Sequence, residues 1–360
     1  MLEFSVAFAK AFFLFNVVMV FAAVLTWMER KQSALMQDRI GANRADIFGF
    51  RLIGLFHIIA DAVKMLTKGD FVPPQGHRVL HTISPMIGLF FALLAFAVIP
   101  FGGVYQFGDY TVSLQLLDLN VGILFVFAMM SMGIYGFVLA GWSSANNYAL
   151  LGGLRASGQM LSYEIAMGAT IIGIIMVYGT LDLQQMSMAQ GDLLWGWLPM
   201  WGVLLQPVGC ILFMTAAMAE TKRVPFDVPE GESEIIGYFV EYSGMKFGMF
   251  LMTDFVESVL AAALTTTLFF GAWQVPYLYS HGFVFPWGGE ILLSTWTVML
   301  LQVSAFLTKV FMFGFLFMLV RWTLPRFRWD QLMRLGWTLL LPISVLNIVV
   351  TALVLLVVGN

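Results

Sequence analysis

The chain has 360 residues, of which 60% are hydrophobic and only 11% are charged. Soluble domains carry about 25% charged residues, so this composition excludes an ordinary soluble domain and predicts an integral membrane protein. The formal net charge is only −3, and we therefore expect no nucleic-acid partner. The single cysteine, Cys210, excludes an internal disulfide bond. It also excludes an iron–sulfur cluster held by this chain alone, since such a cluster needs about four cysteine ligands.

Eight apolar segments approach or exceed the length of about 20 residues that a membrane-spanning helix needs. The first ends at the charged triplet 29–31 and is too long for a cleavable signal sequence, so it predicts the first spanning helix. We therefore predict an all-α polytopic membrane protein in which residues 1–360 form a single integral membrane domain. The eight segments are 4–28, 83–101, 119–140, 157–178, 199–219, 244–271, 291–320 and 337–358.

The basic residues predict the orientation of these helices. All of them except Lys10 and Lys309 lie in or beside the four odd-numbered connections between helices. Because basic residues are enriched in cytoplasmic loops, these connections are predicted to face the cytoplasm or the mitochondrial matrix, and both termini to face the outer side. The four connections are 29–82, 141–156, 220–243 and 321–336.

A further helix is predicted inside the first basic connection. Between residues 48 and 66, polar side chains recur every three or four positions in an otherwise apolar stretch, which indicates an amphipathic helix. Two interpretations stay open. The helix lies among the lipid headgroups, or it walls a partly buried cavity into which Asp61 and Lys64 point. The polar positions are Arg51, Gly54, His57, Asp61 and Lys64.

The connection at 220–243 is unusually acidic and is also rich in large apolar residues. Pro225 and Pro229 prevent a regular helix there. One interpretation is a surface that pairs with a basic partner subunit. The other is a half-buried group of carboxylates that raise one another's pKa and can therefore hold and pass protons near neutral pH. The carboxylates between 220 and 241 are Glu220, Asp227, Glu230, Glu232, Glu234 and Glu241.

Four further charged residues lie within the predicted spans: Glu164, Asp254, Glu257 and Lys309. Each costs roughly 2.5–3.5 kcal/mol at mid-membrane on insertion scales, so all four are expected to face the protein interior. They form either structural ion pairs between helices or a polar path through the bundle.

Common cofactor motifs are absent from the sequence. No histidine lies deep in an apolar segment, as a haem held between spanning helices would require. The sequence has no phosphate-binding P-loop, no Rossmann glycine fingerprint and no metal-ligand cluster. We therefore expect this chain alone to bind no haem, flavin, iron–sulfur cluster or other metal.

Four stretches of the sequence closely resemble a known family. The most specific reads Ala-Glu-Thr-Lys-Arg-Val-Pro-Phe-Asp at 219–227 and continues to Glu-Tyr-Ser-Gly-Met-Lys-Phe at 241–247. The others are Glu-Arg-Lys at 29–31 running into Ala-Asp-Ala-Val-Lys at 60–64, Leu-Ala-Gly-Trp at 139–142 running to Ser-Tyr-Glu at 162–164, and Leu-Pro-Arg-Phe-Arg at 324–328. Together they resemble the quinone-chamber membrane subunit of NADH:quinone oxidoreductase, respiratory complex I, over nearly the whole chain.

The resemblance implies a membrane subunit at the base of the peripheral arm of that complex. Its inward connections and first helices would form much of a chamber in which a quinone, ubiquinone or menaquinone, approaches an iron–sulfur cluster of a neighbouring subunit. No catalytic residue is implied in this chain. The implied quinone-binding residues are Trp27, Glu29, Arg30, Arg39, Asp61, Lys64, Arg223 and Phe226. The implied proton relay consists of Glu164, Glu220, Asp227, Glu230, Glu232, Glu234, Glu241, Asp254 and Lys309.

The resemblance also implies partners and a location. The partners are the iron–sulfur subunits of the peripheral arm, the small and antiporter-like membrane subunits of the same complex, and the lipid bilayer. The location is the bacterial inner membrane rather than the mitochondrial one. Two alternatives stay open. The homologous subunit of an ion-pumping hydrogenase or a ferredoxin-linked complex would carry a less acidic segment at 220–234. A secondary transporter would show inverted repeats, which the sequence lacks.

Overall fold

The computed structural model describes residues 2–107, 110–231 and 234–358, and most of them are helical. One predicted relay residue, Glu232, lies outside the described residues. The helices are α1 (Leu2–Met36), α2 (Phe56–Thr67), α3 (Arg78–Leu94), α4 (Gly122–Ser143), α5 (Asn147–Tyr178), α6 (Leu183–Ala189), α7 (Gly202–Leu205), α8 (Pro207–Glu220), α9 (Gly244–Phe269), α10 (Thr295–Thr323), α11 (Trp329–Arg334) and α12 (Leu341–Val358).

The remaining regular structure is short. Single 3₁₀ turns lie at Leu52–Gly54 and Ala95–Val98, and a π-helical turn at Leu335–Leu340 joins α11 to α12. Small antiparallel sheets pair β1 with β2, β3 with β4, and β5 with β6 and β7. The strands are β1 (Val104–Phe107), β2 (Tyr110–Ser113), β3 (Leu193–Leu194), β4 (Leu198–Pro199), β5 (Leu278–Tyr279), β6 (Gly282–Val284) and β7 (Glu290–Leu292).

Within the described ranges, seven helices are long and apolar enough to cross a membrane. This confirms the predicted all-α polytopic class, and the seven helices match seven of the eight predicted segments. They are Val6–Met36, Arg78–Val98, Gly122–Ser143, Asn147–Tyr178, Gly244–Phe269, Thr295–Thr323 and Trp329–Val357.

The predicted segment 199–219 is not one continuous helix, because the chain breaks at Gln206 between α7 and α8. Pro207 follows the break, and proline disfavours the helical conformation of the residue before it. The side chain of Gln206 donates to Thr351 Oγ1 at 2.6 Å and accepts from Asn347 Nδ2 at 2.8 Å. Both partners lie on α12, so the break is fixed against that helix, and α8 continues as a 14-residue apolar helix.

Most spanning helices extend farther toward the basic connections than the sequence predicts, and three of them show it. Helix α1 continues to Met36, α5 begins at Asn147, and α10 continues to Thr323. The start of α5 is stabilised by Asn146, whose side chain accepts a hydrogen bond from the backbone N–H of Tyr148 at 2.9 Å. Charged residues assigned to loops, such as Arg155, therefore stand on rigid helices.

Helix α9 occupies the centre of the bundle. In the most apolar stretch of α9, 72% of the residues are buried, whereas only 22% are buried in the corresponding stretch of α1. It packs against α1, α2, α3, α8 and α10. Asp254 and Glu257 lie on this helix and are 6% and 9% exposed, which confirms that these two charges face the interior.

Helices α3, α4 and α5 pack closely through small residues. A Cβ atom on Gly136 of α4 would lie 2.8 Å from the backbone nitrogen of Gly88 and 2.9 Å from the carbonyl oxygen of Ser84, both on α3. A Cβ atom on Gly153 of α5 would lie 2.9 Å from the carbonyl oxygen of Phe137 on α4. Glycine at these contacts allows the helix backbones to approach each other, as is common in membrane proteins.

The four basic connections meet at one end of the bundle, which we call the basic face. Lys246 Nζ lies 2.9 Å from Asp70 Oδ2, and Asn146 Nδ2 donates to Glu241 Oε1 at 2.9 Å. These contacts join the start of α9 and three of the connections, and Arg326 Nη2, 2.8 Å from Asp227 Oδ2, joins the fourth. The orientation of the basic face toward the cytoplasm stays a prediction.

Candidate functional site

A group of charged side chains is buried just beneath the basic face, on α1, α8, α9, α10 and the segment 221–230. The members are buried or largely buried and interact with one another, so we treat them as one site. This buried charge cluster consists of Glu29, Glu220, Lys222, Arg223, Asp227, Glu230, Asp254, Glu257 and Arg321.

Two arginines converge on the carboxylate of Glu29 in α1. Arg223 Nη1 lies 3.1 Å from Glu29 Oε2, and Arg321 Nη1 lies 2.9 Å from Glu29 Oε1. The guanidinium carbon of Arg223 also stacks 4.0 Å from the centre of the Phe255 ring. The Nε and Nη2 atoms of Arg223 are buried and make no hydrogen bond to any described residue. The site thus holds a carboxylate between two cations, with donors of Arg223 still available.

Lys222 forms a second ion-pair group within the cluster. Its side chain is 0% exposed, and its Nζ lies 2.7 Å from Glu257 Oε2 and 3.3 Å from Asp254 Oδ1. The same Nζ lies 3.7 Å from the centre of the Phe137 ring. Burial alone would lower the pKa of Lys222, but Glu257 and Asp254 outweigh burial and hold that pKa above its ordinary value. Lys222 therefore stays charged between two carboxylates.

Asp227 lies between Pro225 and Pro229, on the segment that enters the core. Its Oδ2 accepts from Arg326 Nη2 at 2.8 Å, while its Oδ1 is buried and has no hydrogen-bond partner among the described residues. Burial raises the pKa of Asp227 to about 6, in spite of the opposing charges of Arg326 and Arg321. This carboxylate can therefore exchange a proton close to neutral pH.

Glu230 lies three residues further along the same segment. Its Oε1 accepts a hydrogen bond from the hydroxyl of Tyr238 at 3.1 Å. Burial, together with the negative charges of Asp254 and Asp227, raises the pKa of Glu230 well above its ordinary value. A buried carboxyl beside other carboxylates holds its proton, because two like charges in low dielectric cannot both ionise cheaply.

Glu220 links the cluster to the membrane interior. It is 2% exposed, and neither of its carboxylate oxygens has a hydrogen-bond partner among the described residues. Its charge interacts with those of Glu164, Glu257 and Lys222. Glu164, on α5, in turn accepts a hydrogen bond from the hydroxyl of Ser131 on α4. Glu220 therefore stands between the ion pairs of α9 and the carboxyl on α5.

An apolar cavity of about 330 Å³ adjoins the cluster. It lies between α1, α2, α3 and α9, and its lining is mainly aliphatic and methionine side chains. The polar groups of its lining include an ion pair in which Arg30 Nη2 lies 2.6 Å from Asp61 Oδ2. Arg30 directly follows Glu29 of the buried charge cluster, so α1 connects the cavity to the cluster.

Two comparisons with known proteins bear on this arrangement. The family described as NADH dehydrogenase matches residues 9–352. A protein of Rhodothermus marinus called NADH-quinone oxidoreductase subunit 8 is 42% identical over 346 residues, covering 95% of each chain. An NADH-quinone oxidoreductase subunit of Cytophaga hutchinsonii is 41% identical over 338 residues, covering 94% of this chain and 93% of the relative. The corresponding NADH-quinone oxidoreductase subunit of Salinibacter ruber is 38% identical over 347 residues, or 95% and 94% of the two chains.

This chain belongs to the NADH dehydrogenase family. The match spans nearly all of its length, and it includes every residue of the buried charge cluster and of the cavity. The resemblance inferred from the sequence motifs is thereby confirmed.

The predicted quinone-binding residues of this family member separate into three groups. Arg30 and Asp61 line the cavity, and Glu29 and Arg223 belong to the adjoining cluster. The other four residues do not line the cavity. Trp27 Nε1 donates to the carbonyl of Ile53 at 3.1 Å, Arg39 folds back onto Gln37 and Ser33, Lys64 is exposed, and Phe226 is buried in the core, stacked on Phe327.

The predicted relay residues at the end of the acidic segment lie on the rim of the basic face. Glu234 is paired with Arg155 at 2.7 Å, and its side chain is 51% exposed. Glu241 bonds to Asn146 and borders a surface cavity. Both carboxylates stand apart from the buried charge cluster.

Lys309 lies apart from the other predicted relay residues. Its Nζ donates to the carbonyl oxygens of Phe270, Ala272 and Gln274 at 2.8, 3.0 and 2.7 Å. It also lies 4.8 Å from the centre of the Trp201 ring. These carbonyls belong to the turn at the C-terminal end of α9, where a cation is favourable because helix carbonyls are unsatisfied there.

Several residues of the site escape sequence reasoning. Arg321 carried only a topological signal and Arg326 only a place in a family motif, yet each pairs with a carboxylate of the site. Gln159 was not predicted to belong to the site; its Nε2 donates to the carbonyls of Ala219 and Phe226, both at 2.8 Å. These bonds tie the start of the acidic segment to α5. Polar residues within an apolar span, such as Gln159, are the signal that would have identified it.

Proposed function

We propose that this protein is the membrane subunit of a proton-translocating NADH-quinone oxidoreductase that shapes the quinone site and couples quinone reduction to proton movement. Its relatives are named as subunits of NADH-quinone oxidoreductase. The observation that carries the proposal is the junction at Glu29 and Arg30. There an apolar cavity and a buried charge cluster meet on one helix.

The cavity suits the substrate that those names imply. A quinone has an apolar tail and a polar headgroup with two carbonyl oxygens. The aliphatic and methionine lining fits the tail, since methionine side chains adapt to flexible apolar ligands. The guanidinium of Arg30 supplies hydrogen-bond donors for a headgroup at the polar end. In this proposal the electrons come from an iron–sulfur cluster of a partner subunit.

In this proposal, quinone reduction is coupled to proton uptake by electrostatics. Reduction of a quinone adds negative charge to a site that excludes water. Two unit charges about 10 Å apart interact by roughly 1.7 kcal/mol at an effective dielectric constant of about 20. That energy corresponds to a pKa change of about one unit. Asp227, whose pKa is raised to about 6, responds by taking up a proton, and Glu230, whose pKa is raised well above its ordinary value, holds a proton that it can pass on.

The relay then runs from the segment 227–230 into the bundle. It passes through Asp254 and Glu257, which share Lys222, to Glu220 and on to Glu164. Glu234 and Glu241 act at the rim rather than in the buried path. Lys309 is left out of this path, because three carbonyls at the far end of α9 already hold it.

The same proposal assigns partners and a location. The stretch 47–53 of the first connection exposes large apolar side chains; Phe48 is 98% exposed and Phe50 is 73% exposed. An exposed patch of this kind marks a protein interface, and we assign it to the peripheral arm with its iron–sulfur subunits. Small and antiporter-like membrane subunits contact the spanning helices. The complex lies in the inner membrane of a bacterium, with the basic face toward the cytoplasm and both termini outside.

The proposal is tested by filling the cavity. Ala23→Phe places a ring in the cavity lining on α1, whereas Val20→Phe places the same ring at an exposed position of the same helix, where Val20 is 60% exposed. In membranes that contain the assembled complex, we expect Ala23→Phe to lower NADH–quinone activity on the order of tenfold, because the tail loses its space. Electron transfer from NADH to a water-soluble acceptor should be unchanged. Equal quinone activity in both variants would contradict the assignment of the cavity.

A further inference from the structure

A second buried polar site lies beside the buried charge cluster. His81, in the first turn of α3, is 0% exposed and stacks on Tyr242, with ring centres 3.9 Å apart and an interplanar angle of 2°. Neither ring nitrogen makes a hydrogen bond to a described residue; the backbone of Glu241 lies near the ring but outside hydrogen-bond geometry. Burying polar atoms without partners is costly, so this placement calls for a role beyond packing.

Hydroxyl groups from three elements surround the other side of the stack. The Tyr242 hydroxyl lies 3.3 Å from Ser143 Oγ and also interacts with the hydroxyls of Ser84 and Ser144. Ser84 lies on α3, Ser143 ends α4, and Tyr242 precedes α9. A hydroxyl can accept one proton while it donates another, so this group can pass protons.

This cluster of hydroxyl-bearing side chains reaches the surface at the basic face. Ser144 lines an open cavity of about 490 Å³, whose walls also include Pro73, Asn146 and Glu241. Glu241 is held at this cavity by its bond from Asn146 Nδ2 at 2.9 Å. Protons from the aqueous side therefore have a carboxylate and a hydroxyl at the mouth of the site.

The same cluster of hydroxyl-bearing side chains also extends inward, toward the buried charge cluster. Gly88 lies one turn beyond Ser84 on α3, about 6 Å along the axis. A Cβ atom on Gly88 would lie 3.7 Å from Thr253 Oγ1 of α9. Thr253 is 0% exposed and directly precedes Asp254, which interacts with Lys222. Small and hydroxyl-bearing residues thus extend from Ser84 to the cluster.

We propose that His81 and Tyr242 form a proton-access branch that carries protons from the surface cavity at Glu241 to Asp254. This inference rests on the proposed function, because it needs a proton relay at Asp254 to supply. A proton accepted on one imidazole nitrogen is matched by one released from the other, and each hydroxyl hands on a proton in the same way. The branch therefore regains its net number of protons after each transfer, and rotation of the imidazole and hydroxyl groups restores the starting tautomer.

The charged groups that face His81 are Lys246 of α9, Asp70 of the connection between α2 and α3, and Glu241. Lys246 Nζ and Asp70 Oδ2 are paired at 2.9 Å, so their opposite effects on the ring partly cancel, with that of Lys246 the larger. Glu241, which is bonded to the neutral amide of Asn146, remains as the negative charge near the mouth of the branch.

The test replaces His81 with Phe, which keeps an aromatic ring against Tyr242 and removes both nitrogens. NADH-driven proton pumping is measured across a range of pH in inverted membrane vesicles that contain the assembled complex. We expect a rate loss on the order of tenfold at alkaline pH, where free protons are scarce, and little loss at acidic pH. The matched control is His77→Phe, since His77 is exposed and lies one turn earlier.

Tyr242→Phe keeps the ring and removes only the hydroxyl. It should reproduce the alkaline loss, and the double variant should lose no more than either single one, because both residues serve one branch. An unchanged pH profile in His81→Phe overturns the proposal. A loss that is equal at every pH also overturns it, since that marks a packing role. If Glu230→Gln is impaired while His81→Phe is normal, the branch fails and the proposed function stands.

Discussion

The segment 220–241 contains carboxylates of two kinds. Glu220, Asp227 and Glu230 lie in the interior, whereas Glu234 and Glu241 lie on the rim of the basic face. The residue types are the same and the positions are close in sequence. Burial raises the pKa of Asp227 to about 6 and that of Glu230 well above its ordinary value, while Glu234 is half exposed and pairs with an arginine. The environment, and not the residue type, therefore distinguishes the buried carboxylates from those on the rim.

The apolar residues of this segment cause the difference. Phe226 and Val228 are 4% and 3% exposed and belong to the main hydrophobic core. Phe226 stacks on Phe327, and its carbonyl accepts a hydrogen bond from Gln159 at 2.8 Å. The hydrophobic effect thus draws the first half of the segment inward, and Asp227 is buried with its neighbours.

The largest expected effect is on assembly. Lys222→Met leaves Asp254 and Glu257 buried without their cation, which typically costs about 3–5 kcal/mol. We expect little assembled complex in membranes, measured on native gels. The control is the triple variant Lys222→Met, Asp254→Asn, Glu257→Gln, which removes all three charges and should recover part of the assembly. Normal assembly of the single variant would show that the interior is less isolated from water than its burial indicates.

The ion pair of the cavity is an intermediate case, because Arg30 and Asp61 are 41% and 38% exposed. Asp61→Asn should raise the KM for quinone by about fivefold, since a charge-assisted hydrogen bond to Arg30 is worth roughly 1–2 kcal/mol. Lys64→Gln, one turn away on the exposed side of α2, is the control. Steady-state quinone kinetics measure both. If Asp61→Asn and Lys64→Gln have the same KM for quinone, Asp61 takes no part in binding quinone.

The sequence predicted the fold class, the placement of seven spanning helices and the family. It did not predict which half of the acidic segment is buried, because spacing in the chain does not reveal the packing of Phe226 against Phe327. The pairing of Glu29 with Arg223 and Arg321 joins residues far apart in sequence, and no local pattern encodes such a contact. The break at Gln206 had a local signal in Pro207, but the apolar run around it concealed that signal.

A smaller effect is expected in the pH dependence of activity. Asp227 must be ionised before it can take up a proton, and its pKa is raised to about 6. Pumping should therefore fall as the pH is lowered through about 6 and recover as the pH is raised. Asp227→Asn should lack this acidic limb and run at a lower, flatter rate. If the fall in pumping at acidic pH persists in Asp227→Asn, a group other than Asp227 causes it.

The smallest effect is expected at the rim. Glu234→Gln breaks only the partly exposed pair with Arg155, and such pairs contribute about 0–1 kcal/mol. Assembly, quinone reduction and pumping should all stay within about twofold of the unchanged protein. A large loss of pumping would place Glu234 in the buried path and would remove the distinction between the two halves of the segment.

The most direct test compares Glu230→Gln with Glu234→Gln in the same vesicle preparation. The number of protons pumped per NADH and the rate of quinone reduction are measured for each variant, with NADH oxidation by a water-soluble acceptor as the control. We predict that Glu230→Gln lowers the pumping rate on the order of tenfold and leaves the control reaction intact, while Glu234→Gln pumps normally. Normal pumping in Glu230→Gln would contradict the claim that the buried carboxylates couple quinone reduction to proton movement.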